Sequence, residues 1–136
     1  PTDVTPRGEL QRLIRFWEGV GSKVVELTPE KHDEILAATS HLPHLLAAAL
    51  AATLQPDQED FVGSGFRDTT RIAAGDAGLW QEILLSNVPA LLKAANEFDA
   101  VWKALLQAVQ AGDREKLMEL LKAAELKREQ LNQKQT

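Results

Sequence analysis

Apolar residues recur at helical spacing along most of this chain. The first such stripe follows the i, i+3, i+4, i+7 pattern of one helix face and comprises Leu10, Leu13, Ile14 and Trp17. Thr5 and Pro6 precede it as an N-cap and a first helical residue, and Gly19 and Gly21 follow it as end signals. The pattern predicts an amphipathic helix near the start of the chain.

The segment Lys23–Leu27 breaks this helical pattern. It is short, contains two adjacent valines and is bounded by turn-forming residues, which predicts a β-strand. A single strand needs partner strands to form a sheet. No other segment of the sequence supplies them.

Helical patterns dominate from Thr28 onward. Thr28 and Pro29 repeat the N-cap and proline start, and the helix they open is predicted to run to about Ser40. Pro43 is then expected to kink or break it. Leu45–Leu54 is apolar around its whole circumference and rich in alanine, which predicts a helix buried on every side.

Three further helices are predicted in the second half. Asp76 is a suitable N-cap for a helix that holds Trp80. A longer helix carries a heptad seam of Leu91, Ala95, Phe98, Trp102, Leu105 and Val109. This seam is expected to pack against the last helix or to form a subunit interface. Gly112 and Asp113 separate it from the last helix, whose polar end, residues 128–136, is expected to fray.

Composition limits the classes of function. The chain has 136 residues, 44% of them hydrophobic, and a net charge of −5, which fits one folded domain and opposes a general nucleic-acid or anionic-membrane binder. There is no cysteine, so disulfides and thiolate chemistry are excluded and an intracellular protein is favoured. The apolar run at 45–54 is too short for a membrane span. No basic segment followed by an apolar run opens the chain, so no signal peptide is predicted, and the start at Pro1 suggests a piece of a longer protein.

Two groups of polar residues could contact a ligand. His41 and His44 share one helix face if the helix survives Pro43. Their expected role is as caps or core hydrogen-bonding residues, or alternatively as substrate contacts. A metal site is disfavoured, because no cysteine or HExxH motif accompanies them. Arg67 and Arg71 lie one helical turn apart. They either form a surface ion-pair set with Asp68 or grip a carboxylate, to which arginine donates two parallel hydrogen bonds.

The remaining candidate features are ambiguous or negative. Trp80 is either core or a ligand contact. The glycines at 19 and 21 precede a predicted strand, which is the wrong order for a dinucleotide fingerprint. No nucleophile–base pair can be named, so the residues alone indicate a helical, dimeric domain that contacts a small anion.

Four segments in order resemble the C-terminal half of the prephenate/arogenate dehydrogenases, the NAD(P)-dependent enzymes of tyrosine biosynthesis. These segments are Leu27–Asp33, Ser40–His44, Gly65–Ala73 and Asp76–Trp80. The resemblance implies a mainly α, multi-helix dimerisation domain of the type found in the C-terminal part of 6-phosphogluconate dehydrogenase. Residues 1–28 would be the last helix and strand of a truncated Rossmann domain, and residues 29–136 the all-helical domain.

The resemblance also implies an activity. The full-length, cytoplasmic enzyme would be a homodimer that converts prephenate, or arogenate, by oxidative decarboxylation; prephenate would give 4-hydroxyphenylpyruvate. Hydride would pass to NAD or NADP bound by the upstream domain. This chain would hold no catalytic, cofactor-binding or metal-binding residue and would be inactive alone.

Site roles follow from the resemblance position by position. Arg71 is similar to the carboxylate-binding arginine, His44 to a pocket histidine and Trp80 to an aromatic residue that reaches the pocket of the partner subunit. Asp68 resembles an acidic residue that gates the pocket entrance. His32 and His41 match positions interpreted as structural, and Arg67 receives no role.

Two alternatives stay open at this stage. The chain could be a non-enzymatic helical interaction module, or the helical half of another two-domain hydroxyacid-type dehydrogenase. The sequence does not distinguish prephenate from arogenate or NAD from NADP, and it does not reveal tyrosine feedback inhibition or a following regulatory domain.

Overall fold

The computed structural model describes residues 1–133, and it is helical throughout its regular parts. The α-helices are α1 (Arg7–Gly19), α2 (Pro29–Leu36), α3 (Leu42–Ala52), α4 (Ser64–Thr70), α5 (Ala77–Ser86), α6 (Val88–Ala111) and α7 (Arg114–Gln133). A π-turn, Ala37–His41, joins α2 to α3, and two 3₁₀ turns cover Pro56–Phe61 and Arg71–Ala74. The mainly α fold predicted from the sequence is confirmed.

The chain divides into two compact units. The first comprises Pro1–Ala94 and the second begins at Ala95, within α6. In the first unit, α3 packs against α4 and against the 3₁₀ turn Arg71–Ala74. All the candidate site residues lie in this first unit.

The predicted strand Lys23–Leu27 is wrong for the chain as it stands. Among residues 1–133 no β-strand forms, and this segment is irregular chain between α1 and α2. The physical reason is the one noted above: strand backbone gains its hydrogen bonds only from a neighbouring strand. The assignment of residues 1–28 to a separate domain stays a prediction.

Local start and stop signals are confirmed at several helix ends. The Thr28 hydroxyl accepts a hydrogen bond from the Lys31 amide at 3.2 Å, and the Asp76 carboxylate accepts one from the Leu79 amide at 2.8 Å. Gly112 has a φ of 63°, the left-handed conformation that favours glycine after a helix. At α1 the start is shifted by one residue, because Pro6 occupies the N-cap position that was predicted for Thr5.

Pro43 does not break its helix. Residues Pro29–Ala52 form one continuous helix of 24 residues, and only Leu42 separates the π-turn from the proline. A proline ring clashes with the carbonyl four residues earlier and lacks the N–H that this carbonyl would accept from. One wider turn shifts the backbone hydrogen-bond pairing by one residue, so that the Leu42 amide donates to the carbonyl of Ala37, five residues earlier.

The face of α3 is only partly covered. Ala47 is 3% exposed, whereas Leu45 and Leu50 are 41% and 38% exposed. The prediction of a helix buried on every side is therefore wrong for the single chain. The heptad seam of α6 also keeps exposed apolar side chains, among them Trp102 and Val109.

The most apolar 18-residue window of the helix Pro29–Ala52 has a mean hydropathy of 1.5. By length and composition alone, this helix is long and apolar enough to cross a membrane. The prediction from the sequence considered only the apolar run at 45–54, which is too short to do so. A core helix meets the same two criteria. At the other end of the chain, α7 continues to Gln133, and the last three residues of the stretch expected to fray lie outside the described residues.

Candidate functional site

His44 and Trp80 form the centre of the candidate site. His44 lies on α3 and Trp80 on α5, and their rings stack with centroids 3.6 Å apart and planes 9° from parallel. His44 is only 5% exposed, and Trp80 is half-buried. Two residues predicted separately to contact a substrate are thus brought together within one chain.

The buried imidazole of His44 lacks a polar partner on one nitrogen. Its Nδ1 atom is buried and makes no hydrogen bond to any of residues 1–133. Buried polar atoms are nearly always hydrogen-bonded, since leaving one unpaired costs about 1–3 kcal/mol. An unpaired buried nitrogen on a stacked ring is the kind of atom that a bound ligand satisfies.

His41 has a different environment, one helical turn before His44. Its Nδ1 lies 3.2 Å from the side-chain nitrogen of Asn87, and the same Asn87 nitrogen donates to the Asp33 carbonyl at 2.8 Å. An amide NH₂ has two hydrogens, so it can serve both acceptors, which places the imidazole proton of His41 on Nε2. His41 and Asn87 are both buried, and this bridge fixes the end of α5 and the start of α6 against α2.

A surface ion-pair group lies next to this bridge. The Glu34 carboxylate is 3.1 Å from the Lys31 ammonium and 3.3 Å from that of Lys93. Hydrogen bonds from Lys31 and then Lys93 lower the pKa of Glu34 below its ordinary value. The Lys93 contact joins α2 to the first turns of α6 and supports the position that Asn87 sets.

Arg67, Asp68 and Arg71 lie on the exposed surface, on two segments that pack against α3. Arg67 and Asp68 belong to α4, and Arg71 opens the 3₁₀ turn that packs against α3. Among residues 1–133, none of the three side chains takes part in a hydrogen bond or ion pair. The surface ion-pair set considered for Asp68 and Arg71 is therefore not formed, which leaves both charges available to a partner.

His32 lies apart from the site. It is exposed, and its Nδ1 is 3.1 Å from the carboxylate of the adjacent Asp33. In the part of the chain that is described, no group of three or more histidine, aspartate or glutamate side chains is arranged to hold a metal ion.

Two residues of this region were not singled out from the sequence. Asn87 stands before Val88-Pro89 with no pattern that distinguishes it from an ordinary helix-flanking residue. Gly75 shows in the sequence only the turn-forming preference of any glycine, yet its backbone lies against the edge of the stacked pair. Both act through contacts between segments that are distant in sequence.

Comparison with known proteins gives a consistent result. Residues 28–123 match the family described as "Prephenate dehydrogenase, dimerization domain". Cyclohexadienyl dehydrogenase of Zymomonas mobilis is 34% identical over 132 residues, which cover 92% of this chain and 45% of that protein.

Solved structures agree in fold. A crystal structure of prephenate dehydrogenase from A. aeolicus in complex with hydroxyphenyl propionate and NAD⁺ superposes with a TM-score of 0.88 at 36% identity, covering 96% of this chain and 48% of the other. Synechocystis arogenate dehydrogenase gives a TM-score of 0.84 at 29% identity, with coverages of 96% and 50%. The chain thus spans half or less of the length of these relatives.

Proposed function

Because this chain belongs to the family of prephenate dehydrogenase dimerization domains, we propose that it forms the dimerisation and substrate-binding part of a prephenate or arogenate dehydrogenase. The reaction proposed for the complete protein is oxidative decarboxylation, in which the substrate ring loses a hydride and CO₂ and becomes aromatic. The hydride acceptor is NAD or NADP, bound outside this chain. We place the complete enzyme in the cytoplasm, as a homodimer in which this chain contributes no catalytic, cofactor-binding or metal-binding residue.

One observation from the site carries the substrate-binding part of this proposal. The buried Nδ1 of His44 has no partner among residues 1–133, and it belongs to a ring held flat against Trp80. A ligand that presents a polar group to this nitrogen would remove the cost of leaving it unpaired. We therefore propose His44 and Trp80 as substrate-binding residues.

The charged residues complete the proposed site. Arg71 is exposed and forms no ion pair within the described part of the chain, so its guanidinium is free to bind a substrate carboxylate with two parallel hydrogen bonds. Asp68 lies three residues earlier, and its carboxylate likewise has no ion-pair partner among residues 1–133. We propose that it pairs with a charge across the pocket entrance and gates access.

Residues 1–28 fit the end of a nucleotide-binding domain. The apolar stripe of α1 is exposed at Leu13 and Trp17, and Lys23–Leu27 has the composition of a strand without a sheet. A preceding Rossmann sheet would cover the apolar stripe of α1 and would pair with the segment Lys23–Leu27. The domain boundary that we propose near residue 28 is supported by the start of the matched family region at the same residue.

The exposed face of α3 is proposed to lie in the dimer interface rather than in a membrane. The helix Pro29–Ala52 has buried histidines bonded or stacked within the protein, and the matched family is one of dimerization domains. Obligate interfaces resemble a hydrophobic core divided between two subunits. Leu45 and Leu50 are apolar and half-exposed, as residues of such a divided core are in a single subunit.

Sedimentation of the 136-residue chain should reveal a dimer at micromolar concentration. Leu45→Lys should shift the equilibrium to monomer, because a lysine would have to be desolvated in the interface. Leu13→Lys is the matched control, since Leu13 is also an exposed leucine but lies on α1. A stable, well-folded monomer for the unmodified chain would contradict the proposal.

The enzymatic part is tested by turnover. The complete protein should reduce NAD or NADP with prephenate or arogenate and release CO₂, and comparing the four substrate–nucleotide pairs identifies the true combination. The 136-residue chain alone should neither bind nor reduce the nucleotide. If the complete protein is a dimer that turns over none of the four pairs, the non-enzymatic interaction module becomes the better interpretation.

A further inference from the structure

Gly75 lies where any side chain would collide with the stacked pair of His44 and Trp80. A Cβ atom built on Gly75 would come within 2.6 Å of the indole Nε1, 2.9 Å of the indole Cδ1 and 3.2 Å of the His44 Cε1. Packed side chains do not approach a Cβ so closely, so the indole would have to move. The close approach of backbone to ring is possible only because position 75 has no side chain.

The requirement for glycine is one of space and not of backbone conformation. Gly75 has a φ of −63° and a ψ of 156°, an extended conformation open to any residue. Other glycines of the chain do not share its crowding: Gly65, on α4, has no atom within 4 Å of the position its Cβ would take. Of these two glycines, only Gly75 is sterically tied to the stack.

We propose that Gly75 is a positioning residue of the substrate site, whose missing side chain lets Trp80 lie flat on His44. The parallel stack holds the imidazole of His44 in one plane, and so limits the direction in which its unpaired Nδ1 can point. A side chain at position 75 would tilt the indole, open the stack and release His44 from that direction. The geometric half, in which Gly75 sets the stack, does not depend on any ligand. The functional half rests on the proposed role of the stack in substrate binding.

Spectroscopy tests the geometric half without any substrate. Trp17 and Trp102 are both 48% exposed, so Trp17→Phe and Trp102→Phe should give a folded protein in which Trp80 is the sole indole. In this background Gly75→Ala should change the near-ultraviolet circular dichroism and the fluorescence of Trp80. The control Gly65→Ala should leave both spectra unchanged, and unchanged spectra for Gly75→Ala would overturn the proposal.

A double-mutant cycle identifies the colliding atoms. The atoms nearest to the added Cβ belong to the five-membered ring of Trp80, which phenylalanine lacks. Gly75→Ala should therefore lower the melting temperature when Trp80 is present and lower it much less in the Trp80→Phe protein. Equal losses in both backgrounds would show that the cost of a side chain at 75 does not arise from the stack.

Kinetics of the complete enzyme test the functional half. Gly75→Ala should raise the substrate KM by roughly tenfold to a hundredfold, as misplacement of a binding group by about 1 Å does, and should leave the nucleotide KM unchanged. Gly65→Ala again serves as the control. If the spectra of Gly75→Ala change but its substrate KM does not, the positioning role is overturned for substrate binding. Absence of turnover in the unmodified enzyme would instead overturn the proposed function.

Discussion

Replacing Arg71 by alanine in the complete enzyme should weaken substrate binding by about 2–5 kcal/mol if the bound substrate and the closed pocket bury the ion pair, since this is the usual cost of truncating one partner of a desolvated, hydrogen-bonded charge pair. The substrate KM should rise accordingly, whereas the nucleotide KM should stay close to that of the unmodified enzyme. The reason is that Arg71 has no ion-pair partner among residues 1–133, so the substrate carboxylate would be its principal partner. Steady-state kinetics with each ligand varied in turn measures both values.

Two further variants make the Arg71 result specific. Arg71→Lys should recover only part of the lost binding, because an ammonium cannot form the two parallel hydrogen bonds of a guanidinium. Arg67→Ala removes an arginine that is also exposed and unpaired within the described residues, one helical turn earlier. It should have a much smaller effect. An unchanged substrate KM in Arg71→Ala would reduce Arg71 to a solvated surface residue.

Replacing Trp80 by alanine should damage substrate binding far more than it damages stability. Truncation of a core tryptophan costs about 3–5 kcal/mol, but Trp80 is only half-buried, and loss of an aromatic pair adds only about 0.5–1.5 kcal/mol. The melting temperature should therefore fall modestly while the substrate KM rises strongly. A large loss of stability with normal kinetics in the surviving enzyme would assign Trp80 to the core.

Mixing inactive subunits tests which chain supplies Trp80 to each pocket. If Trp80 serves the pocket of the partner subunit, a mixture of Trp80→Ala and Arg71→Ala subunits regains activity, because one pocket of each heterodimer is then intact. The stack adds a control: His44 and Trp80 touch within one chain, so they enter the same pocket. A mixture of Trp80→Ala and His44→Ala subunits should therefore stay inactive.

The outcome of the mixing experiment is unambiguous once subunit exchange has been verified. Recovery in the first mixture and none in the second supports a pocket shared between subunits. If neither mixture recovers, Trp80 and Arg71 serve the pocket of the same chain. Recovery in the second mixture would mean that the stack does not act as one unit.

The features predicted correctly from the sequence are those that depend on neighbouring residues. The caps at Thr28 and Asp76 and the glycine end at Gly112 each require only a side chain or a backbone conformation within one turn. The strand Lys23–Leu27 was predicted from composition, but its formation depends on a partner strand elsewhere. Local preference cannot supply that partner.

Pro43 and the His44–Trp80 stack required the three-dimensional structure for similar reasons. The proline signal was correctly placed, yet a π-turn before it absorbs the disruption and keeps one helix from Pro29 to Ala52. The stack joins residues on different helices, and the collision at Gly75 depends on the exact approach of those helices. No spacing rule in the sequence encodes such a contact, although His44 and Trp80 were each expected at the site.

The partly covered apolar face of α3 has a thermodynamic consequence. If a second copy covers Leu45 and Leu50, association and folding are linked by mass action, and the free energy of unfolding depends on protein concentration. A substitution on that face would then appear mild in a concentrated sample and severe in a dilute one. Subunits at low concentration in the cell would be the fraction most exposed to unfolding and proteolysis.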